Sequence, residues 1–209
     1  MLRRLFPSSA AALLPCLLSS LTNPHRRPDE EASFSVVLSS VPFRMAAPTP
    51  TPELFRRVLG TFATGVTVIT AERAPGAVHG MTANSFASVS LDPPLVLVCV
   101  DQNARLLSFL KTQRRFGLSI LRDSQQRVSE FFAEPQQNPA DCARLGIRFR
   151  WTESGIPLLA DALAHLACNV VAQYMAGDHT IFIGEVESLE TLDGEPLLYL
   201  RGQYRRLQP

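Results

Sequence analysis

The stretch Gly80–Pro94, "GMTANSFASVSLDPP", decides how the rest of the chain is read. It sets Thr82, Asn84, Ser85, Ser88 and Ser90 between two apolar runs and ends on Asp92 and a double proline. A surface loop would carry more charge and more glycine, and a strand buried on both faces would be Val and Ile throughout. Small hydrogen-bonding groups beside a core must be satisfied, either by nearby backbone in caps and turns or by a ligand rich in donors and acceptors.

Upstream, "GVTVITA" (65–71) is β-branched and reads as a strand, and "APGA" (74–77) is a turn signal. The run from Val78 into "HGMTANS" is then its antiparallel partner. Thr51, Pro52 and Glu53 mark a helix start, with Leu54, Phe55, Val58 and Leu59 as its apolar stripe. Downstream, "PLVLVCV" (94–100) reads as a strand buried on both sides, "ARLLSFLK" (104–111) as a helix and "FGLSIL" (116–121) as a strand. "SQQRVSEFFA" (124–133) reads as a short helix, and residues 134–160 as loop-rich. The last third reads as three strands: 162–175 with His165 on a solvent-facing polar side, 179–192 after the turn "AGD", and "LLYLRGQY" (197–204). Many strands joined by tight turns, without βα alternation, exclude a doubly wound sheet. They predict a mainly β fold, a closed or partly open antiparallel barrel with a few peripheral helices.

Composition bounds the function. Of 209 residues, 46% are hydrophobic and 19% charged, which suits one domain with a substantial core. The net charge of +1 gives no electrostatic case for nucleic acid or an anionic membrane as partner. Cys16, Cys99, Cys142 and Cys168 form no CxxC pair and read as reduced, structural thiols. Residues 1–44 differ from the remainder: Arg3, Arg4, Arg26, Arg27 and Arg44 outnumber three acids, and "MLRRLFPSSAAALLPCLLSSL" is like a targeting peptide broken by prolines. Met45 opens a plainer N-terminus, so the favoured reading is an over-extended start before a domain at 45–209 located in the cytoplasm; the alternative is a targeting peptide.

Motifs for nucleotide-binding P-loops, dinucleotide GxGxxG turns, HExxH zinc sites and GxSxG nucleophiles are absent, and no metal site is expected. Among the histidines, His79 and His179 sit beside glycine-bearing turns and can face a site. A flat heteroaromatic ring such as an isoalloxazine would match the row of donors and acceptors over Thr82–Ser90.

In order and spacing, "LGTFATGVTVITA", "GMTANSFASVSLDPPLVLVCVD", "GDHTIFIGEVESL" and "PLLYLRGQY" resemble the flavin reductase family of FMN-binding split barrels. The resemblance implies a Greek-key split barrel and a homodimer. It also implies NADH- or NADPH-dependent reduction of FMN or FAD, with the reduced flavin passed to the oxygenase component of a two-component monooxygenase. It places flavin on Thr82, Ala83, Asn84, Ser85 and Phe86, and on Ser88, Ser90 and Leu91. Asn103, Ala104 and Arg105 resemble the family's phosphate and ribityl loop, Thr64 and Gly65 approach the same pocket, and His179 resembles the histidine beside the nicotinamide. Leu106 and Ser119 stand where the family often has Ser or Thr and Asn, which leaves FMN against FAD open. The rival readings are a flavin carrier without turnover and an oxidase of a phosphorylated pyridoxal-type vitamer.

Overall fold

A computed structural model describes residues 48–207; the leader reading at 1–44 lies outside the described residues. Helix α1 (Pro52–Leu59) starts as its residues dictate, with the Thr51 hydroxyl accepting the Leu54 N–H at 3.2 Å. Its apolar stripe, however, is uncovered within the chain, and Phe55, Val58 and Leu59 are all more than half exposed.

The centre is a seven-stranded antiparallel sheet. Its members are β2 (Thr67–Ala74), β3 (Ala77–Ala83), β4 (Phe86–Leu91), β5 (Pro94–Asp101), β6 (Arg115–Ile120), β9 (Ala164–Ala176) and β10 (His179–Thr191). The spatial order is β3-β2-β6-β9-β10-β5-β4. The two edge strands, β3 and β4, are consecutive in the chain, with only Asn84 and Ser85 between them. Laid flat, six strand spacings would hold those edges about 29 Å apart. The three peptide links from Ala83 to Phe86 reach about 11 Å at most. The sheet therefore rolls until its edges meet, and because β3 and β4 do not pair, the barrel stays split along that seam.

Val96, Val98, Val100, Phe116, Leu118 and Phe182 fill the barrel, and Leu106, Leu107 and Leu110 of α2 (Arg105–Gln113) close one end. β5 is not buried on both sides as its run of apolar residues suggests: its valines point inward, while Leu95, Leu97 and Cys99 are half-covered. Gly184 of β10 is required by packing, since a Cβ there would lie 2.7 Å from the Phe116 ring. A second apolar cluster covers the outer face of β2, where Val66 and Val68 meet Phe132 of α3 (Gln126–Ala133) and Leu159. Along the free edge of β3, the Gln137 side chain bonds both the N–H and the carbonyl of Gly80, which satisfies backbone that no strand pairs.

The loop-rich segment 134–160 holds more structure than its prolines and glycines indicate: α4 (Pro139–Arg144) and the hairpin of β7 (Phe149–Trp151) and β8 (Pro157–Leu159). β8 is fully buried. A small sheet of β1 (Thr64–Gly65), β11 (Leu198–Leu200) and β12 (Gln203–Arg205) completes the fold. "LLYLRGQY" is thus a hairpin rather than one strand, because Arg201 and Gly202 both adopt positive φ, at 53° and 77°. No helix among the described residues is long and apolar enough to cross a membrane.

His165 corrects a further expectation. It is 1% exposed rather than facing solvent. Its Nδ1 accepts from Arg150 at 2.8 Å and its Nε2–H donates to the Leu159 carbonyl, so the neutral ring ties β7 and β8 to β9. The alternation along β9 holds, with Leu166, Cys168 and Val170 toward the barrel, but the β7–β8 hairpin covers the opposite face at His165, so that face is not open to solvent there. Burial pushes the His165 pKa below its ordinary 6.5, and Arg150 and Arg122 add to this, while the Leu159 bond and Glu190 oppose it. A folded value below the unfolded one means that the contribution to stability is complete above about pH 6.5 and is lost as pH falls through the lowered folded value. Melting curves between pH 7.5 and 5.5 should therefore fall more steeply for the wild type than for His165→Gln; parallel curves would contradict this.

Candidate functional site

The seam places the small polar residues of Gly80–Pro94 where two sheet edges face each other. β4 is the outermost strand, and Ala87, Ser88 and Val89 on it are exposed, so these groups are not pressed into the core. Two of the hydroxyls are already committed to the fold. Thr82 Oγ1 donates to the Ser129 carbonyl at 2.6 Å, and Ser85 Oγ donates to the Cys99 carbonyl at 2.9 Å. The Cys99 N–H returns a bond to the Ser85 carbonyl at 3.2 Å, which pins the joint to β5. What remains on offer is the exposed Asn84 amide, the hydroxyls of Ser88 and Ser90, and the outward backbone edges of β3 and β4.

Asn84 opens onto a cleft of about 170 Å³, whose other walls include Thr82, Ala83, Ser129, Tyr199 and Tyr204. The Tyr204 hydroxyl lies 2.9 Å from Ser129 Oγ, and its ring meets Tyr199 edge-on at 5.3 Å. Ser129 and both tyrosines were not singled out from sequence; the alternation Tyr199–Tyr204 across the "RGQ" turn is the only signal they leave. Thr64 stands opposite Tyr199 in the β1–β11 ladder, which brings β1 to this cleft. Thr64 Oγ1 is buried without a hydrogen-bond partner among the described residues. Beside it Gly65 is exposed, and a Cβ there would meet nothing within 4 Å. An orphaned hydroxyl, open space and an uncommitted amide fit a polar ring at this end of the seam.

The other predicted residues divide. His179 opens β10 directly opposite Asp101, the last residue of β5. Since Ser85 lies at the level of Cys99 and His179 at that of Asp101, His179 and the joint share one end of the sheet, two strand spacings across and two residues along, or about 12 Å apart. Gly177, at φ 63°, makes the turn that exposes the histidine. His179 Nδ1–H donates to Asp178 at 2.7 Å, and this bond holds the Asp178 carboxyl below its usual range. Nε2 is left available to a ligand. The loop Gln102–Ala104 follows β5 at the same end and is folded by the Asp101 carboxylate, which accepts the Asn103 N–H at 2.7 Å.

Arg105 follows directly on that loop, and its side chain lines a hollow together with Arg73 and His79. Ser90 and Leu91 lie at the far end of β4, about 16–20 Å of extended chain from Ser85, with Leu91 77% exposed. Phe86 and Ser88 lie between. Leu106 and Ser119 are structural: Leu106 is wholly buried in the barrel, and Ser119 Oγ accepts the Leu159 N–H at 3.1 Å. Neither substitution relative to the family pattern touches a ligand surface.

The fold is thus a barrel split beside a polar seam, with a histidine at the seam's end. The model of the flavin reductase like domain matches residues 59–208. The NADH-dependent flavin reductase of Rhodococcus sp is 45% identical over 163 residues, covering 77% of this chain and 89% of that protein. HsaB of Rhodococcus jostii, the reductase subunit of a flavin-dependent monooxygenase, is 37% identical over 175 residues, covering 79% and 83%. Among solved structures, the NADH:FAD oxidoreductase SgcE6 of Streptomyces globisporus, in complex with NAD and FAD fragments, superposes with a TM-score of 0.70. It is 39% identical, with 78% of this chain and 98% of that one covered. The chain belongs to the flavin reductase family.

The orphaned hydroxyl gives a direct test of the cleft's geometry. An unsatisfied buried group costs about 1–3 kcal/mol. Thr64→Val, which keeps the shape, should raise the ligand-free unfolding free energy by about 1 kcal/mol. A drop in denaturant midpoint would show that the hydroxyl is already satisfied.

Proposed function

We propose that this protein is a cytoplasmic NADH-dependent flavin reductase that reduces a diffusible FAD or FMN and delivers it to a partner oxygenase. The observation that carries the reading is the open seam at Asn84-Ser85, with His179 at the same sheet end, in a chain 45% identical to an NADH-dependent flavin reductase. Support for an oxygenase partner comes from the relatives that are reductase subunits of monooxygenases. Support for FAD comes from the solved relative that holds its fragments.

When bound, flavin supplies the hydride-accepting ring and NADH supplies the hydride. The protein's part is to bind, orient and stabilise charge. In this reading the backbone of Thr82, Ala83, Asn84 and Ser85 gives donors and acceptors to the ring's polar edge, held rigid by the Thr82–Ser129 and Ser85–Cys99 bonds. Thr64 adds its orphaned hydroxyl, and Gly65 leaves room for close approach. Phe86 and Ser88 flank the ring along β4, and the Ala104–Arg105 turn takes the flavin phosphate. His179, oriented by Asp178, presents Nε2 to the nicotinamide and fixes it at reacting distance. None of these groups needs to abstract a proton.

Two predictions test this reading. His179→Ala should slow reduction of bound flavin by NADH, read by stopped-flow absorbance, about 10- to 1,000-fold, the usual cost of losing one positioning group at a reacting centre. Flavin affinity should change by less than about threefold, since the ring and phosphate contacts lie elsewhere. Reduction at the wild-type rate would make the turn histidine structural.

The second concerns assembly. Phe55, Val58, Leu59 and Phe62, with Val89 and Leu91 of the edge strand, are large apolar groups left at 49–77% exposure. A second copy covering them gives a homodimer. Light scattering at micromolar concentration should return twice the chain mass and fall to the monomer for Phe62→Glu combined with Leu91→Asp. A monomeric wild type with full activity would overturn this.

A further inference from the structure

The turn that carries His179 is held from outside by one residue. Among the described residues, the ring has a single hydrogen bond, to its chain neighbour Asp178, whose side chain is 86% exposed. A bond between adjacent turn residues fixes the ring only as well as the backbone beneath them is fixed. The ladder between β5 and β10 ends at the pair Asp101–His179, and the ends of ladders fray. Gln102 supplies what the ladder lacks. Its backbone N–H donates to the Asp178 carbonyl at 2.9 Å, and its side-chain amide donates to Thr180 Oγ1 at 3.0 Å. The residues on both sides of His179 are thus tied to one residue of the loop after β5.

Packing alone does not call for the side-chain bond. Thr180 is 3% exposed and stands opposite Val100 of the barrel core, where a valine would fill the same space with no hydroxyl to satisfy. Gln102 gives up the rotamer freedom of a long side chain to reach that hydroxyl. What results is a fixed distance between the loop and the histidine turn. Asp101 folds the same loop by accepting the Asn103 N–H, so residues 101–103 and 178–180 form one hydrogen-bonded unit. The Gln102 amide reaches Thr180, so its effect on the reaction runs through the histidine turn.

We infer that Gln102 is a positioning residue for His179: its side-chain bond to Thr180 holds the histidine turn in the orientation that presents Nε2 to the nicotinamide. Loss of the amide leaves the flavin contacts in place and lets the histidine leave its reacting geometry, where a small displacement is costly. For its effect on rate the inference rests on the reading of His179 as the nicotinamide-facing group; the effect on the ring itself does not.

Gln102→Leu and Thr180→Val remove the bond from either side with little change of volume, and melting curves verify that both fold. Each should slow stopped-flow reduction of bound flavin by NADH about tenfold, with flavin affinity unchanged within about threefold. Because the loss runs through His179, neither should slow the His179→Ala protein by more than about twofold. Slowing by the same factor in both backgrounds, or wild-type rates in both variants while His179→Ala is slow, overturns the inference. If His179→Ala reduces flavin at the wild-type rate, the nicotinamide reading falls and the ring itself decides. Nitrogen shifts of the neutral His179 ring, read by NMR without ligand, should show the Nδ1–H tautomer in wild type and a mixture of tautomers in Gln102→Leu. Identical ring shifts in the two proteins overturn the inference whatever the rates.

Discussion

The two-residue joint Asn84-Ser85 has to connect the opposite edges of a seven-stranded sheet, and that constraint shapes both the barrel and its chemistry. Closing the sheet leaves two edges that meet without pairing. Unpaired edges are normally a liability that proteins cover or blunt. Here one is partly covered by Gln137, and the other carries the small residues Ala87, Ser88 and Ser90. The odd composition of Gly80–Pro94 is thus the composition of a barrel seam. Two of its hydroxyls stiffen the joint, and the backbone edges on either side of it do not pair with each other.

Rigidity at the joint matters because hydride transfer tolerates little misplacement. Bonds from Thr82 to Ser129 and from Ser85 to Cys99 tie the joint to α3 and to β5. His179 reaches the same end of the sheet through its pairing with Asp101. Ser85, bonded to β5, and His179, paired with β5 from β10, are therefore held by one continuous ladder, β4-β5-β10, rather than by independent loops. A site on such a ladder keeps its spacing better than one built on loops alone.

Much of this was legible in the sequence, and the limits have physical causes. β-branched runs and Pro-Gly turns gave the central strands, and Thr51-Pro52 gave the first helix, because these signals act locally. Short elements between residues 134 and 160 escaped, since three-residue strands carry too few side chains to show a period. His165 was misplaced because the β7–β8 hairpin, which comes from the loop-rich segment, covers the outer face of β9 where it sits. At the site, residue types pointed to Asn84, Ser85 and His179, but not to which polar atoms the fold itself consumes. Nor could they reveal that Tyr199 and Tyr204 wall the cleft, or that Arg105 lines a hollow together with Arg73 and His79. Those facts depend on contacts between strands far apart in the chain.

The central claim is that the seam turns over flavin rather than merely holding it. The most direct measurement is NADH consumption by purified protein, followed at 340 nm without flavin and then with FAD or FMN added. Flavin reduction at this site predicts negligible consumption alone and a saturable rate, proportional to enzyme, once flavin is supplied. Tight flavin binding with no flavin-dependent loss of NADH would contradict it and make the protein a carrier.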